Sequence, residues 1–354
     1  MIGGQWIREG RGLGLLPFVF SENGACVELL LGWNAELLAC VWGAMGFKRA
    51  AAIVGVATAS VWLGLCLLVG VVAAESALHP IRNVLTPDAG AAANAIAMQQ
   101  DARMNAVEVR AGDGVKLEAW EMKPRRWNGD AVLLLHGLSD NRAGMLGPAN
   151  MLLAHGYAVL LADARAHGAS GGTLATYGAM ERNDVRAWFE WMQRSEHPRC
   201  TDAIGDSMGA GELLESLSVE GGFCAVVAES PFANFREAAY DRMGQQIGAG
   251  PWVGRTLLRP AVEFGLFYAR MRYGVNLEAA RPDEAVAASG VPVLLIHGLM
   301  DDNLPPRHSQ MIVTRNGGRN PHVVLWEPPD AEHCGASSAE PAEYERRVVG
   351  WFKR

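Results

Sequence analysis

Ala203-Ile204-Gly205-Asp206-Ser207-Met208-Gly209-Ala210 is the stretch on which the fold of this chain turns. A short apolar run ends at Gly205, an amphipathic segment opens at Met208, and Ser207 stands on the turn between them. A serine on so tight a strand-to-helix turn is strained. Bulky side chains two residues to either side would collide across it, so Gly205 and Gly209 make the turn possible. The helix N-terminus then lies beside the hydroxyl, ready to stabilise developing negative charge. The pentapeptide alone is a weak signal because glycine and serine are common. The strand before it and the helix after it set it apart from an ordinary helix-capping serine.

Outward from this turn, short apolar runs alternate with longer amphipathic ones. Residues 107–110 and 115–122, divided by Gly112-Asp113-Gly114, predict a hairpin from their alternation and the Asp-Gly turn. Runs at 131–135, 158–162, 203–205, 225–228, 293–296 and 323–326 predict strands buried on both faces, as a parallel sheet covered by helices demands. Helices are expected at 145–155, 177–194, 208–219, 305–315 and 340–352. Strand following helix in this way implies an α/β domain over 105–354 with a mostly parallel, doubly wound sheet. The stretch between Glu229 and Val291 exceeds one crossover, which predicts a small helical cap at about 232–285. Its aromatics Phe232, Phe235, Tyr240, Trp252, Phe264, Phe267, Tyr268 and Tyr273 either line an acyl pocket or pack the cap on the sheet. Arg236, Arg242, Arg255 and Arg259 either meet lipid headgroups or a substrate carboxylate, or are ordinary surface charges.

Ligands bind at the C-terminal ends of the strands in such sheets, and the chemistry gathers there. An oxyanion needs two backbone N–H donors, one from the residue after the nucleophile and one from the loop after an earlier strand. Met208 and Leu138, the latter in Leu135-His136-Gly137-Leu138, are the candidates. His136 precedes the serine, whereas the order expected of this fold is serine, acid, histidine, so His136 is read as a loop-bracing residue. The acid follows in Ile296-His297-Gly298-Leu299-Met300-Asp301-Asp302-Asn303-Leu304-Pro305, and an imidazole in Ala331-Glu332-His333-Cys334. A neutral imidazole can take the serine proton, and a buried carboxylate fixes its tautomer and stabilises the imidazolium. Ser207, Asp301 and His333 are the expected catalytic residues, with Asp302 left to cap the next helix.

With these motifs in place, the region from about Asn105 to Arg354 resembles the α/β-hydrolase superfamily, near its serine aminopeptidase and monoglyceride-lipase-like branch. Asp163-Ala164-Arg165-Ala166-His167-Gly168-Ala169-Ser170 matches that branch's D-x-R-x-H-G-x-S loop, and Asp301-x-x-Leu304-Pro305 its acid loop. Membrane-anchored Bem46-like hydrolases are similar in carrying this elbow. The resemblance implies that Asp163 and Arg165 are scaffold groups, a charged pair that orders its turn.

The N-terminal part is of another kind. Residues 50–74 contain no Asp, Glu, Lys, Arg or His, and as a helix they span roughly 37 Å, enough for a single membrane pass. Lys48 and Arg49 precede the run and Glu75 follows it. The positive-inside bias therefore sets 1–49 in the cytoplasm, as a segment whose first part is read as a misassigned upstream extension, and the catalytic domain on the extracytoplasmic side. Cleavage as a signal peptide, giving a secreted protein, is the alternative. Residues 75–104 are expected to be a linker.

A net charge of −7 argues against nucleic-acid binding, which favours a surplus of Lys and Arg. Cys200 and Cys224 each precede a neighbouring strand, so a disulfide is open to them in an oxidising compartment. No metal-ligand or phosphate-loop motif implies a cofactor. The expected function is a membrane-anchored serine hydrolase of small-molecule esters, lipid-derived ones included. Peptides or amides are the runner-up substrates, and a catalytically silent binding module is the alternative from another class.

Overall fold

The computed structural model describes residues 47–353. The expectations for 1–46 lie outside them. Helix α1 runs from Phe47 to Leu78, and its stretch Lys48–Leu78 is 31 residues long, apolar enough to cross a membrane and largely unburied. Leu63 onward to the C-terminus forms one compact unit.

The sheet opens with β1 (Ala102–Arg110) and β2 (Lys116–Pro124), preceded by α2 (Pro87–Gln99). They pair antiparallel about Gly112-Asp113-Gly114, where Gly114 takes φ +87°. Next come β3 (Ala131–Leu135), α3 (Leu146–Ala154), β4 (Ala158–Ala162) and α4 (Glu181–Ser195). The elbow joins β5 (Thr201–Asp206) to α5 (Met208–Ser216), followed by β6 (Val226–Glu229). Between β6 and β7 (Val293–Ile296) stand α6 (Phe235–Gln245), α7 (Pro251–Arg255), α8 (Arg259–Tyr273) and α9 (Pro282–Ala288). The chain closes with α10 (Arg307–Asn316), β8 (Val323–Trp326), α11 (Ala336–Ala339) and α12 (Pro341–Phe352).

The eight strands form one sheet in the order β1-β2-β4-β3-β5-β6-β7-β8. From β4 to β8 all pairs are parallel, and β2 meets both its neighbours antiparallel. Apolar side chains pack on both faces. Leu133, Leu160 and Val226 meet Trp188 and Leu213 on one, while Val132, Leu134 and Val227 meet Leu152 and Trp351 on the other. This is the two-sided burial that non-alternating strands require.

Two expectations need correction. β8 is an edge strand with one neighbour, and it is not buried on both faces, since Val324 stays 39% exposed. The stretch read as a linker is packed structure. Leu78, Ala93 and Ala97 are buried, and the Arg82 guanidinium donates to the carbonyls of Ala166, Ser170 and Gly172. Alanines suit a helix lying close against the sheet as well as they suit a tether, and composition does not separate the two uses.

Candidate active site

Ser207 occupies the turn from β5 to α5 with φ 53° and ψ −109°, a conformation that L side chains rarely adopt. A Cβ on Gly205 would stand 2.5 Å from the Gly209 carbonyl oxygen, directly across the elbow. A Cβ on Gly209 would stand 2.6 Å from the carbonyl oxygens of both Leu135 and His136. The second glycine is thus required by the neighbouring strand β3 as well as by the turn. The Ser207 N–H donates to the Glu229 carbonyl at 2.8 Å, fixing the elbow to the end of β6.

Three expected residues from distant parts of the chain meet here. Ser207 Oγ lies 2.8 Å from His333 Nε2, and His333 Nδ1 lies 2.7 Å from Asp301 Oδ2. With Nδ1 protonated toward the carboxylate, Nε2 is left as the acceptor for the serine proton. Asp301 Oδ1 accepts the N–H groups of Asn303 and Leu304 at 3.0 and 2.8 Å. Burial would raise the Asp301 pKa, but the hydrogen bonds from His297, His333 and the Leu304 N–H outweigh it and hold the carboxyl well below the usual carboxylate range. The group is ionised at neutral pH. Leu138 and Met208 both border the same cavity, the first in the loop after β3 and the second at the start of α5.

Sequence reasoning missed several supports. His297 Nε2 lies 2.7 Å from the Leu304 carbonyl and 3.3 Å from Asp301 Oδ2, while Nδ1 lies 2.7 Å from Ser309 Oγ. It pins the acid loop, and its place just after β7 was the only available signal. Gln245 Nε2 donates to the carbonyls of Asp302 and Asn303, tying α6 to that loop. Asp302 does not cap α10, whose N-cap position is Pro306 with no side-chain bond. The reason is steric sequence: Leu304-Pro305-Pro306 intervene, and Asp301 itself binds the loop amides.

Asp163 and Arg165 do order their loop, yet not as a pair with each other. Buried Asp163 accepts from the Arg142 backbone N–H at 2.7 Å and pairs with its guanidinium at 2.9 Å. Arg165 grips Asp184 through two bonds of 2.6 Å. His136 is buried with Nδ1 2.7 Å from the Gly137 carbonyl, and its Nε2 accepts the Ala164 N–H at 3.1 Å. Cys200 and Cys224 are disulfide-bonded. Cys334 lines the cavity, and burial pushes its thiol well above the ordinary value, which leaves it protonated.

The cavity has a volume of about 1010 Å³, with Ser207 and His333 among its lining residues. Of the cap aromatics, Phe232 and Phe235 line it. Tyr240 bonds Glu263 at 2.5 Å, Tyr268 and Tyr273 bond Glu75, and Trp252 and Phe267 are exposed. Arg236, Arg255 and Arg259 are engaged by Glu263, Glu278 and Glu237. Arg242 borders the cavity and donates to Gln245 at 3.3 Å. Buried Asp206 Oδ1 makes no hydrogen bond among the described residues, and burial, with Glu229 and Asp140 nearby, pushes its carboxyl well up. Among the described residues no cluster of His, Cys, Asp and Glu is arranged to hold a metal ion.

Comparison with known proteins agrees with this architecture. Residues 82–244 match the model of the X-Pro dipeptidyl-peptidase (S15) family. The Bacillus subtilis protein YqkD is 25% identical over 225 residues, covering 62% of this chain and 70% of its own. The Pyrococcus furiosus esterase Pf2001 superposes with a TM-score of 0.61 and 28% identity over 78% of this chain and 97% of the esterase. Pyrococcus horikoshii acylaminoacyl peptidase shares the fold, with a TM-score of 0.55 and 16% identity over 74% of this chain and 43% of the peptidase. The chain therefore belongs to the α/β-hydrolase superfamily. Within it, esterases and peptidases both stand among the similar proteins, and the chain is a hydrolytic enzyme.

Proposed function

We propose that the chain is a membrane-anchored serine hydrolase that cleaves carboxylic esters through an acyl-enzyme. The observation that carries this reading is the unbroken relay Asp301–His333–Ser207, with spacings of 2.7 and 2.8 Å, opening into a cavity of about 1010 Å³. Ser207 Oγ attacks the carbonyl carbon while its proton passes to His333 Nε2. Negative charge on the carbonyl oxygen is met by the Leu138 N–H in the loop after β3 and the Met208 N–H at the N-terminal end of α5. His333 then returns the proton to the leaving alkoxide, and the alcohol departs. Water, deprotonated by the same imidazole, releases the acid and regenerates Ser207.

The likeness to esterase Pf2001 supports esters over peptides, at higher identity than the peptidase likeness. The S15 match over 82–244 favours the second reading, a peptidase or amidase. α1 serves as the anchor. Lys48 and Arg49 at its start support an extracytoplasmic domain, and the Cys200–Cys224 disulfide is compatible with that side.

A fluorophosphonate probe tests the core of this reading. It should label the wild-type protein and not Ser207→Ala, and the alanine variant should lose up to about 10⁶ in ester turnover while keeping its fold. An unlabelled wild type would make the domain a silent binding module. Faster turnover of aminoacyl amides than of esters would make it a peptidase.

A further inference from the structure

The least expected wall of the cavity belongs to the apolar helix. Gly70, Ala73, Ala74, Ser76 and Ala77 of α1 all border it, together with Ala261, Val262, Gly265 and Leu266 of α8. These two helices are in backbone contact. A Cβ on Gly70 would stand 2.4 Å from the Ala261 carbonyl oxygen, and one on Gly265 would stand 2.8 Å from the Gly70 carbonyl oxygen. Small residues facing one another in this way are how helices approach closely in a bilayer, where lipid tails are as apolar as leucine. The contact is locked at its end. Tyr268 donates to Glu75 at 2.6 Å, Tyr273 donates to it at 2.8 Å, and the Tyr177 hydroxyl donates to the Ala77 carbonyl at 2.9 Å.

Both helices also present apolar side chains outward. Val69 and Val72 of α1 and Phe267 and Met271 of α8 are exposed, the last two one turn apart. The pair is therefore dressed for lipid on its outer side and lined with small side chains on its inner side. A membrane helix that merely tethered a soluble enzyme would need neither the glycine contact nor a share of the cavity. The volume, at the upper end of the roughly 300–1,000 Å³ usual for small-molecule sites, leaves room for a long chain beside Ala73 and Ala77.

We infer that Gly70, Ala73, Ala74 and Ala77 of α1 form, with α8, the acyl-chain subsite of this enzyme, so that its substrate is a long-chain lipid ester taken from the membrane that α1 crosses. The inference rests on the reading of Ser207 as the nucleophile of an esterase. It also makes removal of α1 as a signal peptide incompatible with the complete site.

Two measurements on the full chain in detergent micelles test it. The first compares kcat/KM for p-nitrophenyl palmitate and acetate. Ala73→Phe and Ala77→Phe should each lower the palmitate-to-acetate ratio by at least about tenfold, because the added rings fill the subsite. Val72→Phe, on the exposed side of the same helix, should leave the ratio unaltered. Equal losses on both esters, or no change in the ratio, would overturn the inference. The second uses the wild type, so that no variant need fold. A long-chain alkyl fluorophosphonate with a terminal diazirine is attached to Ser207, then photolysed. Cross-links should map to residues 70–77 or 261–266. A probe that labels Ser207 and cross-links only elsewhere refutes the acyl subsite alone. A probe that leaves Ser207 unlabelled refutes the nucleophile reading and this one with it.

Discussion

Gly209 behind the floor of the cavity and Gly265 in its roof both stand where a methyl group would run into backbone, at 2.6 Å and 2.8 Å respectively. Their settings differ. Gly209 lies in the first turn of α5 against the end of β3, a strand bonded on both sides, where nothing can recede. Gly265 sits between two helices that no ladder joins, and those can separate by a few tenths of an ångström. The floor is thus a rigid frame that holds the three residues of the proposed triad. The roof is a packed contact that sets what fits above them. Chemistry and selectivity are assigned to parts of different stiffness, which is the arrangement a positioned triad needs.

The sharpest division should fall between neighbouring carboxylates. Asp301 faces His333 in the floor, whereas Asp302 is exposed and meets the cap through its carbonyl, which accepts from Gln245. Asp301→Asn should lower kcat by about 10⁴, the scale of a triad acid that has lost its charge, and Asp302→Asn should change it far less. Steady-state kinetics at equal folded fraction decides the matter. A larger loss for Asp302→Asn would transfer the role to that residue.

Next in size is the glycine pair itself. Gly209→Ala should destabilise by about 3 kcal/mol or more, because the clash is with two carbonyls of a central strand. Gly265→Ala should cost about 1 kcal/mol as the helices shift. Denaturant unfolding of both variants measures the difference. Similar losses would show the roof to be as stiff as the floor.

These two regions were unequally legible. The elbow could be read because its whole geometry is written in eight contiguous residues, and the strands because burial on both faces leaves apolar runs of four or five. Asp301 and His333 followed from their places after β7 and β8. The roof left no such trace. Residues 70–74 show only hydropathy, and an apolar run does not reveal which side lines a cavity. Partners far apart in sequence were equally hidden: Arg142 for Asp163, Gln245 for the acid loop, and Glu229 for the Ser207 N–H.

The effect that is smallest per measured step concerns Glu229, the acid at the end of β6 that holds the elbow. Burial pushes Glu229 up to about 7, against a relief from the Ala336 N–H that its Oε1 accepts. Its folded pKa therefore lies above the unfolded value of about 4.3. The folded state holds a proton that the unfolded state has lost, so this group's contribution is full below about pH 4.3 and disappears as pH rises through about 7. Glu229→Gln should flatten the fall in stability across that window by up to about 1.4 kcal/mol per pH unit. Melting curves between pH 5 and 8, values at about these limits, read the slope. An unchanged slope would mean that Glu229 is ionised in the fold.

The Cys200–Cys224 bond has a topological consequence of its own. It closes a covalent ring, 24 residues apart in sequence, that encircles β5, the elbow and all of α5. A protease cut at any one peptide bond inside that ring leaves Ser207 tethered to both halves of the molecule. Severing Ser207 from the chain that carries Asp301 and His333 takes a second event, reduction. If the domain faces the extracytoplasmic side, as proposed, a single nick there would leave one connected molecule.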